Sequence, residues 1–304
     1  MSLQYLHYDV FTDRPLLGNQ LAVFPDGRGL TTEQMQAIAR EINFSETTFI
    51  LPAERDGTDV RMRIFTPAVE MPMAGHPTVG STFALAHTGV IALGRKRFVF
   101  GLNVGPTPVD LEWEGDRLRF VWMTQKTPSF SAPVADRAAV AAAIGLHSTD
   151  LADLPIQEVS CGVSYLYVPL RDSDAVDRAT PNGVATLHVP GLSRSHPAVF
   201  LFAEEGARRA TTYSRMFAPG LGVLEDPATG SAAGPLGCYL VEHGLVGGDA
   251  AQKMVNVQGV KMGRDSRLHI AISGSPGSIS EVRVGGEAVL VARGEFLASP
   301  VATT

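Results

Sequence analysis

Two stretches of this chain set chemically active side chains at the mouths of apolar helices. In "EMPMAGHPTVGSTFALAHTGVI", residues 70–91, His76 stands between Gly75 and Pro77. In "EDPATGSAAGPLGCYLVEHGLV", residues 225–246, Ser231 follows Gly230, and Asp226 precedes Pro227. A helix start exposes unpaired backbone N–H groups and the positive end of the helix dipole. Such a start holds an anion, for instance a carboxylate, and glycine lets the ligand approach the backbone. His76 adds a group that titrates near neutral pH beside it. A third candidate is Glu46 in "NFSETTFI", residues 43–50, a carboxylate at a strand end with Phe44 and Phe49 close by. Taken alone, Glu46 reads as an exposed carboxylate, His76 as a capped helix-start histidine, Asp226 as a turn residue and Ser231 as an N-cap.

The two helix mouths are copies. With an offset of 155, Glu70, Pro72, Gly75, Leu85 and Gly89 fall on Glu225, Pro227, Gly230, Leu240 and Gly244. Just upstream, with an offset of 152, Arg63, Phe65 and Pro67 fall on Arg215, Phe217 and Pro219, so the second loop is three residues longer. Two structurally similar halves follow, each a strand-rich sheet wrapped on a helix. The scaffold repeats but the polar residues differ: His76 falls on Ser231, and Met71 on Asp226. Glu70 and Glu225, identical in both halves, read as scaffold. Two domains are expected, residues 1–127 and residues 128–304, and the last strands are candidates to pack back on the first half.

The elements that position these residues are readable from periodicity. "YLHYDVFTDRPLLGNQLAVFP" reads as two strands joined by a turn at Asp13 to Gly18. "TTEQMQAIAREI" reads as a helix with capping-box spacing between Thr31 and Gln34 and an apolar face of Met35, Ile38, Ala39 and Ile42. "SETTFILPA" and "DVRMRIFTP" are strands, the second alternating Val60, Met62 and Ile64 with Arg61 and Arg63. A helix is expected from about Pro77 to Thr88, with Gly89 as its left-handed cap. Further on, "RAAVAAAIGL" reads as helix, and "EVSCGVSYLYVPL", "HPAVFLFAEE" and "TTYSRMFAP" as single strands.

Composition bounds the class. The 304 residues are 45% apolar and 18% charged, enough to bury a large core, with a formal charge of −6. That balance argues against a nucleic-acid partner. No apolar run reaches the roughly 18 residues of a membrane span, and no signal peptide is read at the start. A cytoplasmic protein with two buried free thiols, Cys161 and Cys238, is expected. No cluster has metal-ligand spacing, and there is no G-x-S-x-G, H-E-x-x-H, Walker or G-x-G-x-x-G motif.

"DVFTDRPLLGNQLAVF", "NFSETTFI", "MPMAGHPTVGS" and "EDPATGSAAG", in that order, resemble the PhzF family of phenazine-biosynthesis isomerases, and the match spans nearly the whole chain. The resemblance implies a diaminopimelate epimerase-like α+β fold: two pseudo-symmetric half-domains, each a curved, mostly antiparallel sheet around a central helix, with the site in the cleft between them. It implies a homodimer that needs neither cofactor nor metal and that moves a proton between carbons of a small carboxylate. Carried over by motif, Glu46, His76, Asp226 and Ser231 are the catalytic set, with Gly75 and Gly230 binding substrate through the backbone. Apolar neighbours suit Glu46 to accept and return a proton. Two other readings stand beside this one. An amino-acid racemase on the same fold would use two opposed bases, commonly cysteines at the helix starts, where this chain has His76 and Ser231. A non-catalytic binding protein would have no need to keep all four residues.

Overall fold

The structure is a computed structural model, and it describes residues 3–180, 189, 191–192, 197–205 and 208–297. The chain forms two compact units, one of residues 1–124 with 285–304 and one of residues 125–284. The second unit therefore ends at residue 284, and the chain after it belongs to the first. The reason is a long-range strand pairing: Ala288–Phe296 runs antiparallel along Leu3–Val10, with Leu3 opposite Phe296 and Val10 opposite Ala288.

In the first unit, Leu3–Val10 and Asn19–Phe24 form the expected hairpin. Asn19–Phe24 then pairs parallel with Glu46–Pro52, which pairs antiparallel with Val60–Phe65. Val60–Phe65 pairs parallel with Arg97–Leu102, and that strand pairs antiparallel with Gly105–Glu114. Helix α1, Thr32–Ile42, starts in a complete capping box between Thr31 and Gln34 and buries Met35, Ile38 and Ala39. These pack with Phe24, Phe49 and Phe65 in one apolar cluster.

Helix α2, Gly75–His87, lies at the centre of this unit. Every residue from Gly75 to Leu85 is buried, the polar His76, Thr78, Ser81 and Thr82 included. It begins two residues earlier than Pro77, so Gly75 and His76 form its first turn. Gly80 allows the close approach: a Cβ there would stand 2.6 Å from both Leu21 and Val10. The Thr48 and Ser81 hydroxyls meet at 2.9 Å and tie α2 to the strand that begins at Glu46. Gly89, with φ of 77°, stops the chain just past the helix as expected.

The second unit repeats the plan. Gln157–Ser160 pairs antiparallel with Ser164–Pro169, which pairs parallel with Val199–Glu204. Val199–Glu204 pairs antiparallel with Thr212–Ala218, that strand parallel with Met254–Gln258, and that one antiparallel with Ser266–Ser275. The alternation of antiparallel and parallel neighbours is the same as in the first unit. So is the register: Phe49 faces Arg63 and Leu201 faces Arg215, at the common offset of 152. The longer second loop, between Pro219 and Glu225, opens with one short turn of 3₁₀ helix, Pro219–Leu221. Helices α3, Arg137–Ala143, and α4, Ser173–Arg178, pack Val140, Val176 and their neighbours against Leu201 and Phe217. Helix α5, Gly230–Glu242, is buried almost throughout.

One expected strand is two. "EVSCGVSYLYVPL" breaks into Gln157–Ser160 and Ser164–Pro169 around Cys161–Val163. Gly162 has φ of 124°, which favours glycine and turns the chain back on itself. Cys161 therefore lies in this turn and not in a strand.

Candidate active site

In the first unit, Glu46 opens the strand Glu46–Pro52 and His76 is the second residue of α2. Leu21 pairs with Glu46 in the parallel ladder, and the Thr48–Ser81 contact holds that strand against the helix. Their side chains thereby meet: His76 Nε2 lies 3.3 Å from Glu46 Oε2. The ring is 3% exposed, and burial pushes its pKa down to about 3, with the Gln20 backbone opposing the shift. His76 is thus neutral near pH 7, and the contact is one between a neutral ring and a carboxyl group, not an ion pair.

Asn19, fully buried, brings Nδ2 to 3.2 Å from His76 Nδ1. The Ser45 hydroxyl donates to Asn19 Oδ1 at 3.2 Å. Neither residue was singled out from the sequence. Asn19 sits in "GNQLAVF" and Ser45 beside Glu46, but their roles arise from separations of 57 and 26 residues.

In the second unit, Asp226 ends the short strand Val223–Asp226, and Gly230 and Ser231 open α5. Asp226 is buried and accepts a hydrogen bond from Thr229 Oγ1 at 2.5 Å. Gln258 Nε2 donates to the Asp226 carbonyl at 2.7 Å, and the Thr229 N–H donates to Gln258 Oε1 at 3.1 Å. Ser231 Oγ meets the Tyr165 hydroxyl at 2.6 Å. Tyr167 donates to the Ala232 carbonyl at 2.6 Å, and Gln125 Nε2 to the Gly230 carbonyl at 2.9 Å. Asp226 and Ser231 each have their own partners, Thr229 and Tyr165. Tyr165 and Gln258 lie outside the motifs quoted from the sequence, and Thr229, inside "EDPATGSAAG" and three residues from Asp226, was not singled out.

The duplication now separates scaffold from chemistry. Arg63 grips Glu70 with two hydrogen bonds, 2.8 and 2.6 Å, and Arg215 grips Glu225 with two, 2.8 and 2.9 Å. Each guanidinium also lies over the phenylalanine two residues on, Phe65 or Phe217, at 5.1 and 4.8 Å. These paired glutamates are structural in both units, as their repetition implied. At the position matching Glu46 the second unit has Ala198, and at that matching His76 it has Ser231. Only one copy of the scaffold carries the carboxylate–imidazole pair.

The two cysteines, both buried and free, meet at 3.8 Å between their sulfurs. Cys238 lies within α5, in its third turn, and neither thiol is at a helix start. Among the described residues, no group of three or more His, Cys, Asp or Glu could hold a metal ion, and no helix is long and apolar enough to cross a membrane.

Residues 8–294 match the family model described as phenazine biosynthesis-like protein, PhzC-PhzF. The chain belongs to this family. It is 37% identical over 294 residues to the trans-2,3-dihydro-3-hydroxyanthranilate isomerase of Pseudomonas aeruginosa, covering 96% of this chain and 98% of that one. Among solved structures, the PhzF-family phenazine biosynthesis protein of Bacillus anthracis superposes with a TM-score of 0.87 at 29% identity, over 98% of this chain and 100% of that one. A probable proline racemase from Agrobacterium radiobacter superposes with a TM-score of 0.67 at 13% identity, over 98% and 94%, a likeness of fold alone. The fold is the diaminopimelate epimerase-like one, and the chain is an isomerase of the PhzF type.

Proposed function

We propose that this isomerase moves a proton between two carbons of a small carboxylate, with Glu46 as the group that carries it. The observation that supports this reading is the approach of Glu46 Oε2 to the buried, neutral His76 at 3.3 Å. A neutral imidazole N–H beside the carboxylate leaves Glu46 able to act as a base, because no full positive charge stabilises its anion. The Glu46 carboxylate takes a proton from one carbon and becomes a carboxylic acid. The electron pair left behind shifts along the conjugated substrate, and Glu46, whose acid proton exchanges with solvent while it is held, delivers a proton to a second carbon. Substrate and product are isomers, and the enzyme ends as it began. Positioned acid–base groups and oriented dipoles can drive such a step without cofactor or metal.

Asp226 and Ser231 serve the same reaction as polar groups toward the substrate. By the family motif, Gly75 and Gly230 are the residues assigned to backbone contact with substrate. A cytoplasmic homodimer is the form that the family resemblance implies. The test is incubation in D₂O with a panel of small unsaturated carboxylates, headed by trans-2,3-dihydro-3-hydroxyanthranilate, the substrate named for the Pseudomonas aeruginosa relative. Deuterium should enter a carbon of the isomerised product with wild type and not with folded Glu46→Gln. Deuterium entry that is undiminished in Glu46→Gln removes Glu46 from the role.

A further inference from the structure

We infer that Asn19 and Ser45 are positioning residues that set the tautomer of His76, so that its hydrogen sits on Nε2 and faces Glu46. The inference rests on the proposed role of Glu46 and adds to it the device that prepares its neighbour.

A neutral imidazole carries one hydrogen, and which nitrogen holds it depends on what each nitrogen meets. Nδ1 of His76 meets the side-chain amide of Asn19 at 3.2 Å, and Nε2 meets Glu46 Oε2 at 3.3 Å. An asparagine amide can present either its NH₂ or its oxygen, so it leaves the question open unless something orients it. In the structure the Ser45 hydroxyl donates to Asn19 Oδ1 at 3.2 Å, and the Asn19 NH₂ faces the ring. Nδ1 must then accept, and the single ring hydrogen goes to Nε2. The donations run from Ser45 to Asn19 and from Asn19 to His76, which leaves the ring hydrogen on Nε2, on the side of Glu46.

Burial makes the choice sharp. Asn19 is fully buried and His76 is 3% exposed, so water cannot replace a mismatched partner and the wrong tautomer leaves two lone pairs or two hydrogens facing each other. The ring also meets the backbone of Gln20. A reversed arrangement, with Nδ1–H on that backbone and the Asn19 amide turned over, is the one competitor. It would aim a lone pair at Glu46 and would require a protonated carboxyl there at rest. That resting state cannot take a proton from a carbon, so the Ser45–Asn19 orientation decides whether Glu46 starts as a base.

The experiment is nitrogen-detected NMR of protein labelled with ¹⁵N-histidine, with His76→Gln used to identify the His76 signals. In wild type near neutral pH, Nδ1 should show the shift of an unprotonated nitrogen and Nε2 that of a protonated one. Asn19→Asp replaces the donor by an acceptor, and Nδ1 should then carry a hydrogen, with turnover reduced about 10²-fold in kcat rather than KM. Ser45→Ala should give a mixture of the two forms. A wild-type His76 protonated on Nδ1, or an Asn19→Asp protein whose Nδ1 stays unprotonated, overturns the inference. The wild-type spectrum decides even if Asn19→Asp fails to fold. The measurement needs no substrate, so it separates from the function reading: Nε2–H in wild type with an active Glu46→Gln would sink the role of Glu46 and leave the tautomer assignment standing.

Discussion

His76 Nε2 stands 3.3 Å from Glu46 Oε2, thirty residues along the chain, on a ring that burial keeps neutral. This one relationship joins a strand end to a helix start and supports the acid–base reading of the first unit. It also couples the site to stability.

The His76 pKa is pushed down from an ordinary value of 6.5 to about 3 by burial. Between those values the unfolded chain binds a proton that the folded chain does not. Stability should therefore be complete above about pH 6.5 and fall as pH drops toward 3, by up to ~1.4 kcal/mol per pH unit from this group. His243 is shifted down by burial in the same direction, so the comparison is between wild type and His76→Gln. Urea midpoints measured from about pH 7 to pH 4 should decline more steeply for wild type. Parallel curves would mean that His76 is not held neutral by the fold.

Ser231 Oγ meets the Tyr165 hydroxyl at 2.6 Å at the start of α5. If this hydroxyl serves the substrate, Ser231→Ala should lower kcat by roughly 10²-fold, the loss typical of one directed donor, with the melting temperature nearly unchanged. Tyr165→Phe should cost less, because it removes only the partner. A Ser231→Ala enzyme with wild-type turnover would confine the chemistry to the first unit.

Arg215 and Glu225 are 9% and 18% exposed in their side chains and joined by two hydrogen bonds. Removing one member strands the other's charge, which costs about 3–5 kcal/mol when the pair is fully buried. Partial exposure puts Arg215→Ala near the low end, about 2–3 kcal/mol. Arg63→Ala should cost somewhat less, since Arg63 and Glu70 are 15% and 22% exposed. Denaturant unfolding of the two variants checks both the size and the order.

Cys161 and Cys238 sit 3.8 Å apart in the interior of the second unit. Both thiols are buried, and the hydrogen bond with Cys161 together with burial pushes the Cys238 thiol well up, so Cys238 should not react with a soluble disulfide reagent until the protein unfolds. Cys238→Ala should keep turnover within a few-fold of wild type. Loss of activity in that variant comparable to Glu46→Gln would revive a thiol-based racemase.

Much of the scaffold was legible in the chain because it depends on short-range rules. The capping box of Thr31 and Gln34, the alternation of Val60, Met62 and Ile64, and the stop at Gly89 are each set within a few residues. The duplication was legible too, since a repeated fold repeats its glycines and prolines, and the matched Glu70 and Glu225 read as scaffold from it; that Arg63 and Arg215 are their partners is seen only in the structure. Glu46, His76, Asp226 and Ser231 stood out by motif. Their partners did not. Asn19, Ser45, Tyr165 and Gln258 are ordinary polar residues in their local context, and they become partners only when strands and helix starts many residues apart are brought together; Thr229 alone is a local partner, three residues from Asp226. The return of Ala288–Phe296 to Leu3–Val10 and the meeting of Cys161 with Cys238 are of the same kind. Local sequence determines which elements form. Which side chains touch is decided by the pairing of distant strands and the burial of α2 and α5, because a hydrogen bond forms only between groups that the whole fold brings within about 3 Å.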